Sequence, residues 1–382
     1  MPTILDLPRE IFELVFSHLI DMSTPQDYPS RRSGVSKSAA ASLRLVCREW
    51  EGWLFAHHLY HSLRFSTASR LSAFIDHLNR RSSRLPHATC EHLEVINLWS
   101  VEKPPQARPR DAINSEILES LLELFSDTII TLHIIFVDIF TLPSQTIKAI
   151  GRVKDLTNLK LKTLALFSGS ESSAADPACL HSLMMEAQSL KSLQVSVPFV
   201  LPSIPDLTAG ARYPAITHLE INVRHLSANE FLSIATALKP SLKLLYLGSG
   251  VEDSDPVYET LKETLEALSV YYGISLIPII DLPVRFSKLR VLAMHRFPHF
   301  NLLRDVLLSH TSIEIVAISA AGWILDTMTL DTFSDLPQFK KLVLMNAPPD
   351  YTIPPLCLAA CEAHRIQCVT VDHDKLPLLM EL

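Results

Sequence analysis

A short phrase of hydrophobic and polar positions recurs along most of the chain: apolar, two variable, apolar, one variable, apolar. It stands as Leu93-x-x-Ile96-x-Leu98, Ile129-x-x-Leu132-x-Ile134, Leu161-x-x-Leu164-x-Leu166, Leu190-x-x-Leu193-x-Val195 and Ile216-x-x-Leu219-x-Ile221. It continues as Leu242-x-x-Leu245-x-Leu247, Leu265-x-x-Leu268-x-Val270, Leu289-x-x-Leu292-x-Met294, Ile313-x-x-Val316-x-Ile318, Phe339-x-x-Leu342-x-Leu344 and Ile366-x-x-Val369-x-Val371. Successive middle residues lie 23 to 36 positions apart. Period-2 apolar residues over so short a run predict a strand with one face in a core. Between the phrases the period becomes helical. Ile117, Leu118, Leu121, Leu122 and Phe125 form an apolar stripe behind Asn114, a favourable N-cap. Phe231, Leu232, Ala235 and Leu238 form another, ended by Pro240. Leu302, Leu303, Val306 and Leu307 make a third, and Cys357, Leu358 and Cys361 a fourth, opened by Pro354 and Pro355. A strand and a helix alternating at this interval predict an α/β architecture of parallel strands with helices on the outside.

From about Leu93 to Leu382 this pattern resembles a leucine-rich-repeat array. The resemblance implies a solenoid of about eleven units, with parallel strands on the concave face and helices outside. The units are irregular: where the family usually carries Asn or Cys after the strand, this chain has Val101, Gly169, Pro198 and Arg224. The end of such an array has to be covered, and residues 1–92 stand in the place to do so.

Residues 1–65 differ in character. Leu7-Pro8-Arg9-Glu10 opens a helix, with Pro8 near the first helical position, where its missing N–H costs nothing. Ile11, Leu14, Val15 and Leu19 form one apolar stripe, and Phe12, Phe16 and Ile20 a second on another face. A short helix with two apolar faces needs two partners, and a domain of ~60 residues has little core to offer both. A polar stretch, Asp21 to Lys37, separates it from a second helical run at Ser42–Trp50 that continues through Trp53, Leu54, Leu59 and Tyr60.

Leu7-Pro8-x-Glu10-Ile11, followed by Leu43-x-x-Val46-Cys47-x-x-Trp50, resembles an F-box, with a connecting loop longer than is usual. The resemblance implies a three-helix F-box over residues 1–65, a linker or first array helix over 66–92, and the repeats over 93–382. It also implies a partner: a Skp-type adaptor, met by Leu7, Pro8, Ile11, Val15, Leu43 and Val46, which joins the chain to a cullin–RING ubiquitin ligase. Trp50 would pack inside the F-box. The expected mechanism is positional. The chain would raise the effective concentration of substrate lysines beside the ubiquitin conjugate, with no catalytic group or cofactor of its own. The alternative is a repeat scaffold without a ligase, whose N-terminal helices are only a cap. A cap would bury Leu7, Pro8, Ile11 and Val46, whereas a docking site would leave them open.

Composition narrows the remaining classes. The chain has 382 residues, 34 Lys+Arg against 41 Asp+Glu, and a net charge of −7. That lacks the basic excess of a nucleic-acid-binding protein. Nine glycines leave little for phosphate cradles, and the only G-x-G, Gly248-Ser249-Gly250, is followed by Asp253 where the dinucleotide fingerprint needs glycine. The most apolar stretch, Ile129 to Leu142, contains His133 and Asp138 and is too short and too polar to span a bilayer. The six cysteines form no CxxC pair and read as reduced core residues. Asp6, Arg9 and Glu10 break any signal-peptide core at the N-terminus, so cytosol or nucleus is expected.

Several groupings invite chemistry. Cys357, Cys361 and His364 share one helical face that a metal could use, with Cys368 in the following strand; they read instead as the buried stripe of the last repeat helix, and no metal is expected. His57 and His61 lack the intervening Glu of a HExxH site. Asp372-His373-Asp374 has no G-x-S-x-G partner and reads as a polar loop. Arg80, Arg81 and Arg84 read as a solvated helix end. An enzyme is therefore not expected. With the phrase residues pointing inward, the variable positions open onto the concave face. They are Gln194, Asn222, Tyr246, Tyr271, His295 and Lys341, joined from nearby turns by Arg224, Arg296 and Trp323. Aromatic residues and arginine are frequent interface anchors, so this face is the expected site for an unidentified protein substrate.

Overall fold

A computed structural model describes residues 11, 13, 14, 16, 48–80, 88–100, 110–137, 140–164, 177–197, 213–223, 228–248, 255–272, 285–296, 312–321, 325, 328–334, 336 and 338–382. The chain divides into two compact units. The first comprises Met1–Val137 and Leu142–Leu156, and the second Asp138–Thr141 and Thr157–Leu382. Among the described residues no helix is long and apolar enough to cross a membrane.

The first unit contains α1 (Arg48–His57), β1 (Ser62–Phe65), α2 (Ala68–Asn79), β2 (His92–Trp99), β3 (Ile113–Asn114), α3 (Ser115–Leu124), β4 (Thr131–Phe136) and α4 (Ser144–Gly151). The strands run parallel in the order β1-β2-β4, with the short β3 on β2. Leu63, Leu93 and Leu132 lie side by side, all buried. The phrase at β2 therefore begins three residues earlier than expected, at Cys90-x-x-Leu93-x-Val95. Ile96 is only half-buried, and the chain bulges between Ile96 and Leu98. At the bulge Asn97 takes φ 63°, a left-handed conformation that Asn tolerates, and its amide donates to the Ser66 carbonyl at 3.1 Å. α3 forms as predicted. The Asn114 side chain accepts from the Ile117 N–H at 2.9 Å, and Leu118, Leu121 and Leu122 are buried. On the strand face away from these leucines, Glu94 bridges Arg64 at 3.1 Å and His133 at 3.2 Å, one charge ladder across three strands.

The second unit contains β5 (Asn158–Thr163), α5 (Pro177–Glu186), β6 (Ser192–Val197), β7 (His218–Val223), α6 (Ala228–Leu238), β8 (Leu244–Leu247), α7 (Asp255–Leu261), β9 (Ala267–Tyr272), β10 (Val291–Arg296), β11 (Ile315–Ser319), a 3₁₀ turn (Leu330–Phe333), β12 (Lys341–Met345), α8 (Pro355–Ala363), β13 (Gln367–Thr370) and α9 (Leu376–Leu379). The strands are parallel and hydrogen-bond in chain order. Leu159, Leu193, Leu219, Leu245, Leu268, Leu292, Val316, Leu342 and Cys368 form one continuous row.

Two phrases shift here. The run Leu156-x-x-Leu159-x-Leu161-x-x-Leu164-x-Leu166 offers two overlapping phrases that share Leu161. The chain uses the first: Leu156, Leu159 and Leu161 are buried and Leu164 is not. At β13 Cys368, not Val369, continues the row, and Val369 turns to the other face. In α6 Phe231, Ala235 and Leu238 are buried as expected, with Ile234 in place of Leu232. In α8 Cys357 and Cys361 are buried with Ala360, and Leu358 is exposed. The helix expected over Leu302–Leu307 lies outside the described residues.

A repeated turn sets the pitch. In each turn one carbonyl accepts from two consecutive N–H groups of the next repeat. Lys243 O receives Glu266 and Ala267, Glu266 O receives Arg290 and Val291, and Arg290 O receives Glu314 and Ile315. The side chains at these positions alternate in sign. Lys243 pairs with Glu266 at 2.9 Å, Arg290 with Glu314 at 3.5 Å and Lys340 with Glu314 at 2.6 Å. Lys340 holds the Glu314 carboxyl below its ordinary range, with Arg290 assisting. Exposed pairs of this kind contribute roughly 0–1 kcal/mol each. Their stronger effect is on register, because a slip by one repeat would put like charges together.

A candidate interaction face on the second unit

Side chains alternate along a strand, so each strand of the second unit has a core side and a second face. Across β5–β8 the second face carries polar rows. Asn158, Ser192 and His218 stand in one, and Lys160, Gln194, Glu220 and Tyr246 in the next. The first row continues through Leu244, Ala267, Val291, Ile315, Lys341 and Gln367, and the second through Ser269, Ala293, Ala317, Val343 and Val369.

The apolar rows are covered by the chain itself. Leu376 and Leu379 of α9 pack on Ala267, Val291, Ala293, Ile315, Ala317, Val343 and Met345, all buried, with Met380, Val369 and Val371 at the margin. Lys341 donates from Nζ to the main-chain oxygen of Leu382. The expectation of a face open along its whole length is thus corrected. From Leu244 of β8 onward residues 376–380 cover it, and Lys341 reaches the main-chain oxygen of Leu382. Physically, seven apolar side chains on a second face cannot be left in water, and α9 is the segment that buries them. The strands carried a signal of this: Val291–Met294, Ile315–Ile318 and Leu342–Met345 are apolar at every position, the mark of a strand covered on both sides.

At the border between the halves lies an aromatic group. The His295 ring stacks on Tyr271 at 5.6 Å and meets the edge of Tyr246 at 5.8 Å. The Arg296 guanidinium lies 5.6 Å from the centre of the Tyr271 ring. Asp374, just before α9, approaches His295 Nδ1 at 3.8 Å. His295 is 9% exposed; burial lowers its pKa and Asp374 opposes this. His295 Nε2, Ser269 Oγ and His373 Nδ1 are buried without a hydrogen-bond partner. Asp372-His373-Asp374 is a loop after the last strand, as expected, and it leads into the covering segment.

The polar half is only partly covered. Gln194 donates to Glu220 at 2.6 Å, and Ser192 Oγ lies 3.1 Å from His218 Nδ1. Burial pushes the Glu220 carboxyl up, with Lys160 opposing and Asp374 assisting. Burial, then Lys160, lowers His218 to about 4. Burial raises the Tyr246 hydroxyl above its ordinary range, and Glu220 and Asp374 add to the shift. Asn222 is exposed beside Gly248. A Cβ on Gly248 would stand 2.4 Å from Asn222 Oδ1 and 2.8 Å from Asn222 Cα, so this turn requires glycine by close approach. Gln194, Asn222, Tyr246, Tyr271, His295 and Arg296 thus belong to one neighbourhood. Its reactive repertoire is hydrogen bonding, ring contact and two carboxylates, the chemistry of recognition. Arg224 and Trp323 lie outside the described residues.

In the first unit three apolar residues of the N-terminal helix's stripes are described. Phe16 is buried and packs on Trp53, with ring centres 6.0 Å apart, and on His58 at 4.5 Å. Ile11 and Leu14 are 43% and 68% exposed. Leu7, Pro8, Val15, Leu43 and Val46 lie outside the described residues, and Trp50 is described in its backbone only. Burial, followed by the charges of His57 and His61, lowers His58 to about 4. His61, Glu91 and His92 do gather within metal-ligand reach of one another, a grouping the sequence spacing hid. No protein-family model and no characterised protein matches the chain.

Proposed function

We propose that the chain is the substrate-recognition subunit of a Skp–cullin–F-box ubiquitin ligase. On this reading an F-box precedes a leucine-rich-repeat solenoid, working in the cytosol or nucleus. The N-terminal helix docks a Skp-type adaptor, and the polar half of the second unit's face, around Gln194, Asn222, Tyr246 and Arg296, takes a protein substrate. The observation that carries the reading is the exposure of Ile11 and Leu14 beside the buried Phe16. Phe16 is spent inward on Trp53 and His58, while Ile11 and Leu14 remain in solvent. A helix that served only to cap the array would turn both stripes inward, and exposed apolar positions in a row favour a partner. The parallel strands with polar rows supply the second half of the reading, since repeat arrays present such surfaces to other proteins. No catalytic step is assigned to the chain. Its contribution is to hold substrate and conjugate together.

The test is binding of the whole chain to a Skp-type adaptor, beside Leu7→Asp/Pro8→Ala and Ile11→Asp/Leu14→Asp variants. Binding by the parent, weakened at least tenfold in both variants with unchanged circular dichroism, is expected. Absence of binding by a folded parent would leave the repeat scaffold, with residues 1–65 as its cap.

A further inference from the structure

We propose that Cys357, Cys361 and Cys368 form a three-sulfur site for one soft metal ion, Cu(I). Their Sγ atoms all lie within 4.8 Å of one another. α8 supplies two of them one turn apart on its buried face, both essentially inaccessible. The third is placed by the turn that follows. Arg365 adopts φ 58°, ending the helix in the left-handed conformation. Ile366 N–H then returns to the Cys361 carbonyl at 2.9 Å. This reversal sends β13 back along α8 and presents Cys368 to the pair. No two of the three are joined as a disulfide.

Metal–sulfur bonds of about 2.3 Å around one centre hold three sulfurs about 4 Å apart, inside the 4.8 Å within which these three already lie. The donor set decides the ion. Three thiols and no oxygen donor select a thiophilic metal. Zinc takes four ligands, and among the described residues no fourth His, Cys, Asp or Glu joins the cluster. His364 is nearest in sequence, and its Nε2 is engaged with the Leu330 carbonyl at 2.8 Å. Three-coordination is ordinary for Cu(I). Entry is from the Cys368 side, the one sulfur-bearing residue of the three that is partly exposed. Binding forms three Cu–S bonds, and the displaced thiol protons pass to solvent; no electron is transferred.

The experiment is titration of the reduced, anaerobic whole chain with Cu(I) held by the chelator bathocuproine disulfonate, with Zn(II) as a parallel arm. One copper per chain is expected, with three sulfur neighbours in its X-ray absorption spectrum. Cys368→Ser, at a partly exposed position, should reduce bound copper to none at the same chelator concentration. Cys179→Ser, outside the cluster, should retain it. As a check that needs no variant, one equivalent of Cu(I) should protect Cys368 of the parent from alkylation. No copper uptake, uptake unchanged in a folded Cys368→Ser chain, failure of protection, or Zn(II) held more tightly than Cu(I) would each overturn the assignment.

Discussion

Strands β5–β8 and β9–β13 present the same alternate positions to the same side of the second unit, on one unbroken register, and put them to opposite uses. The first four fill those positions with Lys160, Gln194, Glu220 and Tyr246, which stay in partial contact with water. The last five fill them with Ser269, Ala293, Ala317, Val343 and Val369, and residues 376–380 pack over the apolar members. The backbone is indifferent to the choice, because its hydrogen bonds are the same in both halves. What differs is the transfer free energy of each row. About 25 cal/mol per Å² of apolar surface makes an uncovered valine row costly and an uncovered glutamine row cheap. A sheet face is a binding surface or a core boundary according to which residues occupy every second position.

The sharpest way to break the contrast is at the covering segment. Leu379→Ala should cost about 2–5 kcal/mol in urea unfolding, since Leu379 is fully buried against the apolar rows. Leu378→Ala, one residue away and 40% exposed, should stay within about 0.5 kcal/mol. Equal losses would mean that α9 is not held by its inward leucines. In the polar half, Gly248→Val should cost about 1–3 kcal/mol through overpacking against Asn222, read by the same method. A smaller effect comes from His218. Its folded pKa of about 4 lies below the ordinary 6.5, so the unfolded chain takes up the proton first. Its contribution is complete above about 6.5 and is lost as pH falls toward 4. His218→Gln should flatten that part of a melting-temperature profile. Glu220 has the opposite sign. Its pKa is raised by burial, so its contribution is lost as pH rises through the raised value. Glu220→Gln keeps an acceptor for Gln194 and should change stability by no more than about 1 kcal/mol, with the variant gaining on the parent between pH 4.5 and neutrality.

Much of this was legible in the sequence because a parallel strand in a repeat needs one fixed trio of apolar positions. Leu193, Leu219, Leu245, Leu268, Leu292, Val316 and Leu342 fall where the phrase puts them. It failed where the sequence offers two registers: Leu156 to Leu166 satisfies the phrase twice, and only pairing with β6 decides. At β2 the asparagine bulge breaks the period, and β1 escaped notice because Tyr60-x-x-Leu63-x-Phe65 replaces two aliphatic residues by aromatic ones. The candidate face was half legible. Gln194, Asn222, Tyr246, Tyr271, His295 and Arg296 were identifiable by alternation. The cover over their neighbours is implied by the unbroken apolar runs of β10–β12, but alternation alone does not say which segment supplies it. Asp374 and His373 enter the site only through tertiary contact, which no spacing reveals.

The cover also orders the birth of the molecule. β9 to β13 precede Leu376 and Leu379 in leaving the ribosome, and chains begin to fold from the N-terminal side during synthesis. For the time needed to add the intervening codons, the nascent sheet shows water a broad aliphatic surface that its own sequence cannot yet hide. Stop codons introduced between 346 and 376 should therefore yield aggregates rather than shorter soluble chains.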